Sequence, residues 1–342
     1  MSVTAIDAEF TGVGTVAGHP RNVLGLQGVP AGTIRRMLMA AHRVELAQAD
    51  ASARAALAAK LQGKTVANLF FEDSTRTRSS FNLAASRLGA HVVELFGVGS
   101  SLSKGETLID TARNVEAMGV ESIVVRAKNS GAAALIAGVV GCQVVNAGDG
   151  KHEHPTQGLL DIYTIGKEFG RIGSTTGGQG FDLSGLTVAI VGDVVSSRVA
   201  RSDIAGLVAL GAKVVCVGPP GFAPGSLGVL GASVTNDLDE VIGGVDAVIM
   251  LRIQFERHDE GKGDGKPAAG GSLPSVREYR ELYALSPERE RAMKPGAIVM
   301  HPGPINRGIE IEASVADGAR SRILAQVTHG VYVRTAVLSQ EW

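Results

Sequence analysis

Apolar positions along the chain fall into short blocks whose period switches between that of a helix and that of a strand. Ala31 to Gln48 has helical spacing. Thr65-Val-Ala-Asn-Leu-Phe-Phe71 is a short apolar run, the pattern of a buried strand, and Thr75 to Leu88 returns to the helical period. The alternation continues with a strand at His91–Phe96, a helix at Glu106–Met118 and a strand at Ser122–Val125. A short helix at Ala132–Val139 and a strand at Gln143–Asn146 follow. His154 to Phe169 then reads as a helix, with Pro155 near its start and Leu159, Leu160, Ile162 and Tyr163 as its apolar face.

The Gly, Ser, Thr and Gln run from Gly173 to Gly180 reads as a flexible surface loop. Beyond it a second alternating set begins at Leu186-Thr-Val-Ala-Ile-Val191. A helix at Val199–Leu210 and strands at Lys213–Val217, Asp246–Leu251 and Ala297–Met300 complete it. This order predicts an α/β protein of two Rossmann-like domains, each a parallel sheet flanked by helices, linked by long helices. The expected boundaries are 1–153 and 154–325, with a C-terminal helix over about 326–342 packing back on the first domain. His258 to Ser272 is polar, Gly-rich and without core periodicity. It is either a mobile active-site loop or a neutral insertion, and its position favours the loop.

The chain has 342 residues, enough for two domains, and 44% apolar against 20% charged residues argues for sizeable cores and against disorder. Aromatics at 4% leave those cores to Ala, Val, Leu and Ile, and 45 glycines imply many tight strand-to-helix connections. Lys and Arg number 33 against 34 Asp and Glu, so no global field favours nucleic acid or a membrane, and an anionic ligand must be held by local cations. Cys142 and Cys216 sit in strand-like apolar stretches without metal-ligand spacing and read as reduced core thiols. Met1 to Pro20 lacks the basic and apolar regions of a signal peptide and carries Asp7 and Glu9, and no apolar run is long enough to span a bilayer. The expected compartment is the cytoplasm.

Four stretches carry candidate chemistry. In Phe70-Phe71-Glu72-Asp73-Ser74-Thr75-Arg76-Thr77-Arg78 a strand gives way to a helix. Backbone N–H groups, three hydroxyls and two guanidiniums are then expected at one spot, which is what a phosphate requires. The plainer alternative is an N-cap with solvated arginines. In Asn146-Ala-Gly-Asp-Gly-Lys-His-Glu-His154-Pro-Thr-Gln157, His154 and Gln157 share the first turn of a helix and together suit a carbonyl oxygen. A metal at His152, Glu153 and His154 is disfavoured, because adjacent residues on a turn converge poorly, and no metal is expected.

The third stretch, Gly192-Asp193-Val-Val-Ser-Ser-Arg198-Val-Ala-Arg201, follows a strand but fails as a dinucleotide fingerprint. Val194 and Ser197 replace the second and third glycines, leaving Arg198 at the helix start. Arg252 and Gln254 end another strand and alternation points them the same way. Two guanidiniums at neighbouring strand ends suit a dicarboxylate. The fourth, His301-Pro-Gly-Pro-Ile-Asn-Arg307, is a stiff turn at a strand end, either part of the same edge or only a rigid loop.

Ser74-Thr-Arg-Thr-Arg78, Lys104-Gly-Glu, His154-Pro-Thr-Gln157, Arg198, Arg252-x-Gln254 and His301-Pro-Gly-Pro304 occur in this order between Phe70 and Arg307. As a set they resemble the motifs of aspartate carbamoyltransferase catalytic chains, of the aspartate/ornithine carbamoyltransferase superfamily. The resemblance implies transfer of a carbamoyl group from carbamoyl phosphate to L-aspartate in pyrimidine biosynthesis, without a cofactor. It implies that Ser74, Thr75, Arg76 and Thr77 bind the phosphate, and that Arg126, His154, Gln157 and Thr77 hold the carbamoyl carbonyl oxygen. Arg198, Arg252 and Gln254 would bind the aspartate carboxylates, and Pro302 and Gly303 would offer carbonyls to the amine. Residues 1–153 become the carbamoyl-phosphate domain and 154–325 the aspartate domain.

Ser100 or Ser101, with Lys104, would enter the active site of a neighbouring subunit in a homotrimer. A regulatory chain or a dihydroorotase is the further partner the resemblance admits. The chain departs from the pattern at Ala127-Lys128, where members often have His-Pro or His-Ser, and at Ser196, where many have an aromatic residue or His. Carbamoyl phosphate is already an activated mixed anhydride, so the work is to position two anions and stabilise an oxyanion. The ornithine enzymes share the phosphate motif but carry a His-Cys-Leu-Pro segment and an Asp/Ser-Met-Gly motif for a cationic side chain. His301-Pro-Gly-Pro and the Arg252/Gln254 pair fit an acidic acceptor better. A non-catalytic Rossmann-like ligand-binding or scaffold protein is the competing reading from another class.

Overall fold

The computed structural model describes residues 19–96, 106–172, 180–253 and 275–342. By packing, the chain forms two units. The first comprises the chain to Phe181 with Arg201–Gly206 and Thr328–Trp342, and the second comprises Asp182–Ala200 with Leu207–Val327.

The first unit runs α1 (Ala31–Ala47), α2 (Ala51–Ala58), β1 (Thr65–Phe70), α3 (Thr75–Arg87), β2 (His91–Phe96) and α4 (Leu108–Ala117). It continues through β3 (Ser122–Ala127), α5 (Ala132–Ala137), β4 (Gln143–Asp149) and α6 (Pro155–Glu168). The strands form one parallel sheet of order β2-β1-β3-β4. β3 and β4 are buried along their whole length, which is why their sequences are continuous rather than alternating. Ala67, Leu69, Ile123, Val125 and Val144 of the sheet share a core with Ala112 and Val115 of α4 and with Ile136 of α5. The helix α2 has no apolar period to announce it; it starts at Asp50, whose side chain accepts the Ala53 N–H at 2.8 Å.

The packing division falls after Phe181, beyond the expected boundary at 153/154. The reason is α6, buried at every residue from Pro155 to Gly166. Within the first unit its neighbours are α1, the middle of α7 (Arg198–Ala209) and the C-terminal helix Ile323–Ser339. Tyr163 lies beside His42 of α1, Gly158 beside Ser202 of α7, and Thr164 beside His329 of the C-terminal helix. That last helix belongs to the first unit from Thr328 onward.

The second unit is built on β5 (Thr187–Val191), β6 (Lys213–Val217), β7 (Ser233–Thr235), β8 (Ala247–Met250) and β9 (Ile298–Met300). These form a second parallel sheet of order β7-β6-β5-β8-β9. Its core joins Ala189, Val191, Val217, Val248, Met250 and Val299 to Leu238, Tyr279, Tyr283, Met293 and Val315 from flanking helices. In each sheet the chain steps outward to one side and then reverses. The switch points lie between β1 and β3 and between β5 and β8, and ligands of such sheets bind beyond the carboxyl ends of the strands there.

Cys142 and Cys216 are unpaired thiols. Burial, reinforced by the Glu116 charge, pushes Cys142 up to about 11, and burial alone pushes Cys216 up to about 12, so neither is a reactive thiolate at neutral pH. Among the described residues no helix is long and apolar enough to cross a membrane. The expected loop at Gly173–Gly180, except Gly180, and the segment His258–Ser272 lie outside the described residues.

Candidate active site

In the first unit the candidate residues follow the ends of β1, β3 and β4, on both sides of the switch point. β1 ends at Phe70, paired in register with Arg126 of β3, and the Phe71 N–H donates to the Arg126 carbonyl at 2.8 Å. Ser74 is the N-cap of α3 in an extended conformation, and its side chain makes no capping bond. The leading amides of α3 are therefore not closed off by the cap side chain, as an anion site needs. Thr75 and Arg76 are exposed there and Thr77 is buried. Arg78, expected at the same spot, instead brings its Nε to 3.8 Å from Glu94 of β2. Residues two apart on a helix face nearly opposite ways, so Arg76 and Arg78 diverge.

Arg126 sits where the register between β3 and β4 shifts, between Val125 and Ala127. A bulge of this kind re-aims a side chain at the end of a strand. Its Nη1 donates to the Ala147 carbonyl at 3.0 Å and its Nη2 to Glu72 Oε1 at 3.1 Å. Glu72 received no role from the sequence, although it stands beside the phosphate motif. Its place just after β1, beside the strand that carries Arg126 near its end, is the signal that could have found it.

His154 is buried and caps the start of α6, with Pro155 in the first turn. Its N–H donates to Ser202 Oγ at 3.0 Å, and the Ser202 hydroxyl donates to Glu153 Oε2 at 2.7 Å. Glu153 also accepts the Leu26 and Gln27 N–H groups, at 2.7 and 3.1 Å. His152 meets Asp149 at 3.1 Å, and that hydrogen bond raises its pKa. Glu153 and His152 thus take different protein partners in different directions. Gln157, one turn into α6, donates from Nε2 to both oxygens of Asp161, at 3.1 and 3.3 Å.

In the second unit Arg198 begins α7 after the end of β5, and Arg252 follows β8 by two residues. β5 and β8 are neighbours, with Val191 opposite Met250, so the two guanidiniums follow adjacent strand ends at the second switch point. Arg198 is buried, and Arg252 Nε reaches Asn306 Oδ1 at 3.4 Å. Asn306 Nδ2 donates to the Ile253 carbonyl at 3.1 Å, tying the turn after β9 to the end of β8. That turn is His301-Pro-Gly-Pro304. The Gly303 N–H donates to His301 Nδ1 at 2.7 Å, so the ring's proton is on Nε2, where it donates to the fully buried Glu310 at 3.1 Å. Gly303 has φ +65°, a conformation that favours glycine. The turn presents the Pro302 and Gly303 backbone with both residues half-buried. Lys104, Ser100, Ser101 and Gln254 lie outside the described residues.

Two family models match the chain. Residues 21–167 match the carbamoyl-P binding domain of aspartate/ornithine carbamoyltransferases, and residues 184–340 match the Asp/Orn binding domain. The "aspartate carbamoyltransferase catalytic subunit" of Myxococcus xanthus is 54% identical over 278 residues, covering 81% of this chain and 86% of the relative. That of Gluconacetobacter diazotrophicus is 49% identical over 320 residues, covering 94% and 92%. Among solved structures, aspartate transcarbamoylase of Trypanosoma cruzi, in complex with carbamoyl phosphate and aspartate, superimposes with a TM-score of 0.78 at 29% identity, covering 95% of this chain and 98% of that one. Ornithine carbamoyltransferase of Thermus thermophilus gives 0.76 at 26% identity, covering 94% and 99%.

Proposed function

Since the chain belongs to the aspartate/ornithine carbamoyltransferase family, we propose that it catalyses carbamoyl phosphate + L-aspartate → N-carbamoyl-L-aspartate + phosphate, a step of pyrimidine biosynthesis, in the cytoplasm. The observation that carries the choice of acceptor is the pair Arg198 and Arg252, after the adjacent ends of β5 and β8. Two fixed guanidiniums match a dicarboxylate and repel the cationic side chain of ornithine. The naming of relatives around half identical supports the same choice.

In this reading Ser74, Thr75, Arg76 and Thr77 take the phosphate at the start of α3, where backbone N–H groups and the helix dipole favour an anion. Arg126, Thr77, His154 and Gln157 address the carbamoyl group, and Arg198, Arg252 and Gln254 the aspartate carboxylates. Pro302 and Gly303 accept hydrogen bonds from the amine. The neutral aspartate amine attacks the carbonyl carbon, and the oxygen becomes an oxyanion that Arg126 and His154 stabilise. The bond from carbon to the bridging oxygen of the anhydride then breaks, and the phosphate leaves with the amine proton. Fixed charge and orientation supply the acceleration, since the substrate brings its own leaving group.

Lys104, with Ser100 or Ser101, is assigned to a neighbouring subunit of a homotrimer. The test is turnover of the purified chain with carbamoyl phosphate and either L-aspartate or L-ornithine, with native mass measured on the same sample. Carbamoyl-aspartate production is expected. Turnover with ornithine alone, or with neither acceptor, would overturn the assignment.

A further inference from the structure

Asp161 on α6 and Asp203 on α7 are both fully buried, at 0% exposure, inside the first unit. The two helices approach closely because glycines face the contact. A Cβ at Gly158 would press on Ser202 and Leu26, and one at Gly206 would overlap Ile162. Asp161 accepts both hydrogen bonds from Gln157 Nε2. Neither oxygen of Asp203 receives a hydrogen bond from any donor among the described residues, and the Asp161 carboxyl on the facing helix lies close enough to act on it. Two carboxyl groups brought together in a low-dielectric interior do not both ionise, so one of them keeps a proton. Asp161, already serving as acceptor for Gln157, is the ionised member.

We propose that Asp203 is a positioning residue for Gln157, a neutral acid that donates its proton to Asp161 so that the ionised Asp161 holds the Gln157 amide in one orientation. The inference rests on the reading that Gln157 addresses the carbamoyl group. With Nε2 committed to Asp161, the amide oxygen and the second N–H are the parts left for ligand. Burial, then the Asp161 charge, then the hydrogen bond between the two groups raise Asp203 well above the usual carboxylate range. Among the described residues the charged groups acting around the pair include Arg334 of the C-terminal helix, which acts on Asp161, and Arg126, which acts on Arg334. Arg201, on α7 itself, acts on His152. Burial pushes Arg334 down to about 10, so it stays charged at neutral pH and offsets the Asp161 carboxylate. Ionising Asp203 removes the shared proton and sets two like charges side by side in a low-dielectric interior. Asp161 then loses its anchor and Gln157 its orientation.

The test uses Asp203→Asn, whose amide supplies an N–H to Asp161 at every pH, and Asp203→Leu, which supplies none. Near neutral pH the Asn variant is expected to keep kcat within about threefold of wild type, while the Leu variant loses more than about tenfold in kcat. The alkaline limb of the kcat profile should move up by about one pH unit or more in the Asn variant. A merely structural role would leave that limb in place. Urea unfolding reads the same proton without turnover. Folded wild type keeps a proton that the unfolded chain releases, so its stability falls as pH rises between the unfolded and folded pKa values. The stability advantage of Asp203→Asn over wild type should therefore widen as pH rises from the ordinary aspartate range through neutrality. No widening, an unmoved alkaline limb in an active enzyme, or an Asn variant as impaired as the Leu variant would overturn the proposal. A widening gap in a protein without carbamoyl transfer would uphold the Asp203 proton and overturn the function assigned above. Should the Leu variant not fold, the Asn variant and the unfolding series decide alone.

Discussion

Glu72 and Arg126 form an ion pair at 3.1 Å between the chain following β1 and the end of β3, with both side chains largely buried. The pair spans the switch point of the first sheet. Arg126 also donates to the Ala147 carbonyl, so one guanidinium is fixed from two sides. In the proposed reaction, where Arg126 stabilises the oxyanion, fixing it in advance matters because a donor that must reorganise loses much of its effect. Glu72→Gln keeps the shape and removes the charge. We expect kcat to fall about tenfold in this variant, the scale of a lost orienting contact, with far-UV circular dichroism unchanged. Wild-type kcat in Glu72→Gln would show that Arg126 needs no carboxylate to hold it.

Arg76 and Arg78 occupy the same motif but should differ in consequence. Arg76→Ala removes a guanidinium from the open start of α3 and is expected to lower kcat/KM by about 100-fold or more. Arg78→Ala breaks a partly exposed pairing with Glu94 and should cost less than about tenfold. Steady-state kinetics on both variants check the difference. Equal losses would mean that Arg78 also serves the ligand.

The β/α alternation made the parallel sheets legible because strands buried on both faces read as apolar runs, and helices with one wet face keep their period. Short elements escaped. The strand Ser233–Thr235 has three residues, too few for a pattern, and α2 is mostly alanine with only Leu57 buried. Where the candidate residues sit in the fold was legible for Ser74–Thr77 and His154–Gln157, which follow strand ends and open helices. A contact between residues distant in sequence left no mark of this kind. Asp161 lies four residues after Gln157, a spacing that places both on one helical face, and could have been suspected. Asp203 gave no signal, because an aspartate on a helix ordinarily faces water. Only the approach of α6 and α7 shows that it does not. Arg78 was misplaced because a motif was read as a cluster when helical geometry separates its members.

The crowding that buries α6 also makes a stability prediction. A Cβ at Gly166 would overlap the ring of Phe181. That ring is fully buried and stacked against Tyr163, and the Phe181 carbonyl accepts a hydrogen bond from Arg35 at 2.8 Å. Neither ring nor backbone is free to yield. Although alanine is the better helix former, Gly166→Ala is expected to destabilise by about 1–3 kcal/mol, the usual range for overpacking a core. Urea unfolding measures it, and a neutral or stabilising result would mean that Phe181 has room to move.

His329 contributes to the acid-side pH dependence of the first unit. Burial first, and the Lys167 charge second, lower its pKa to about 4 from the usual 6.5. The ring is held neutral between helices. The Thr164 hydroxyl donates to the Leu160 carbonyl at 2.7 Å, so His329 Nδ1–H donates to Thr164 Oγ1 at 2.8 Å. The unfolded chain takes up a proton near the ordinary histidine value while the folded chain refuses it until about pH 4. Unfolded molecules therefore bind more protons in that window, and the stability present above the unfolded pKa is lost as pH falls through it toward the folded value. His329→Gln can retain a donor to Thr164 but cannot titrate. Its thermal midpoint should fall less steeply than that of wild type between about pH 6.5 and about pH 4, with the curves converging at the acid end. Parallel curves over that range would show that His329 is already protonated in the folded protein, and that its contact with Thr164 does not depend on a neutral ring.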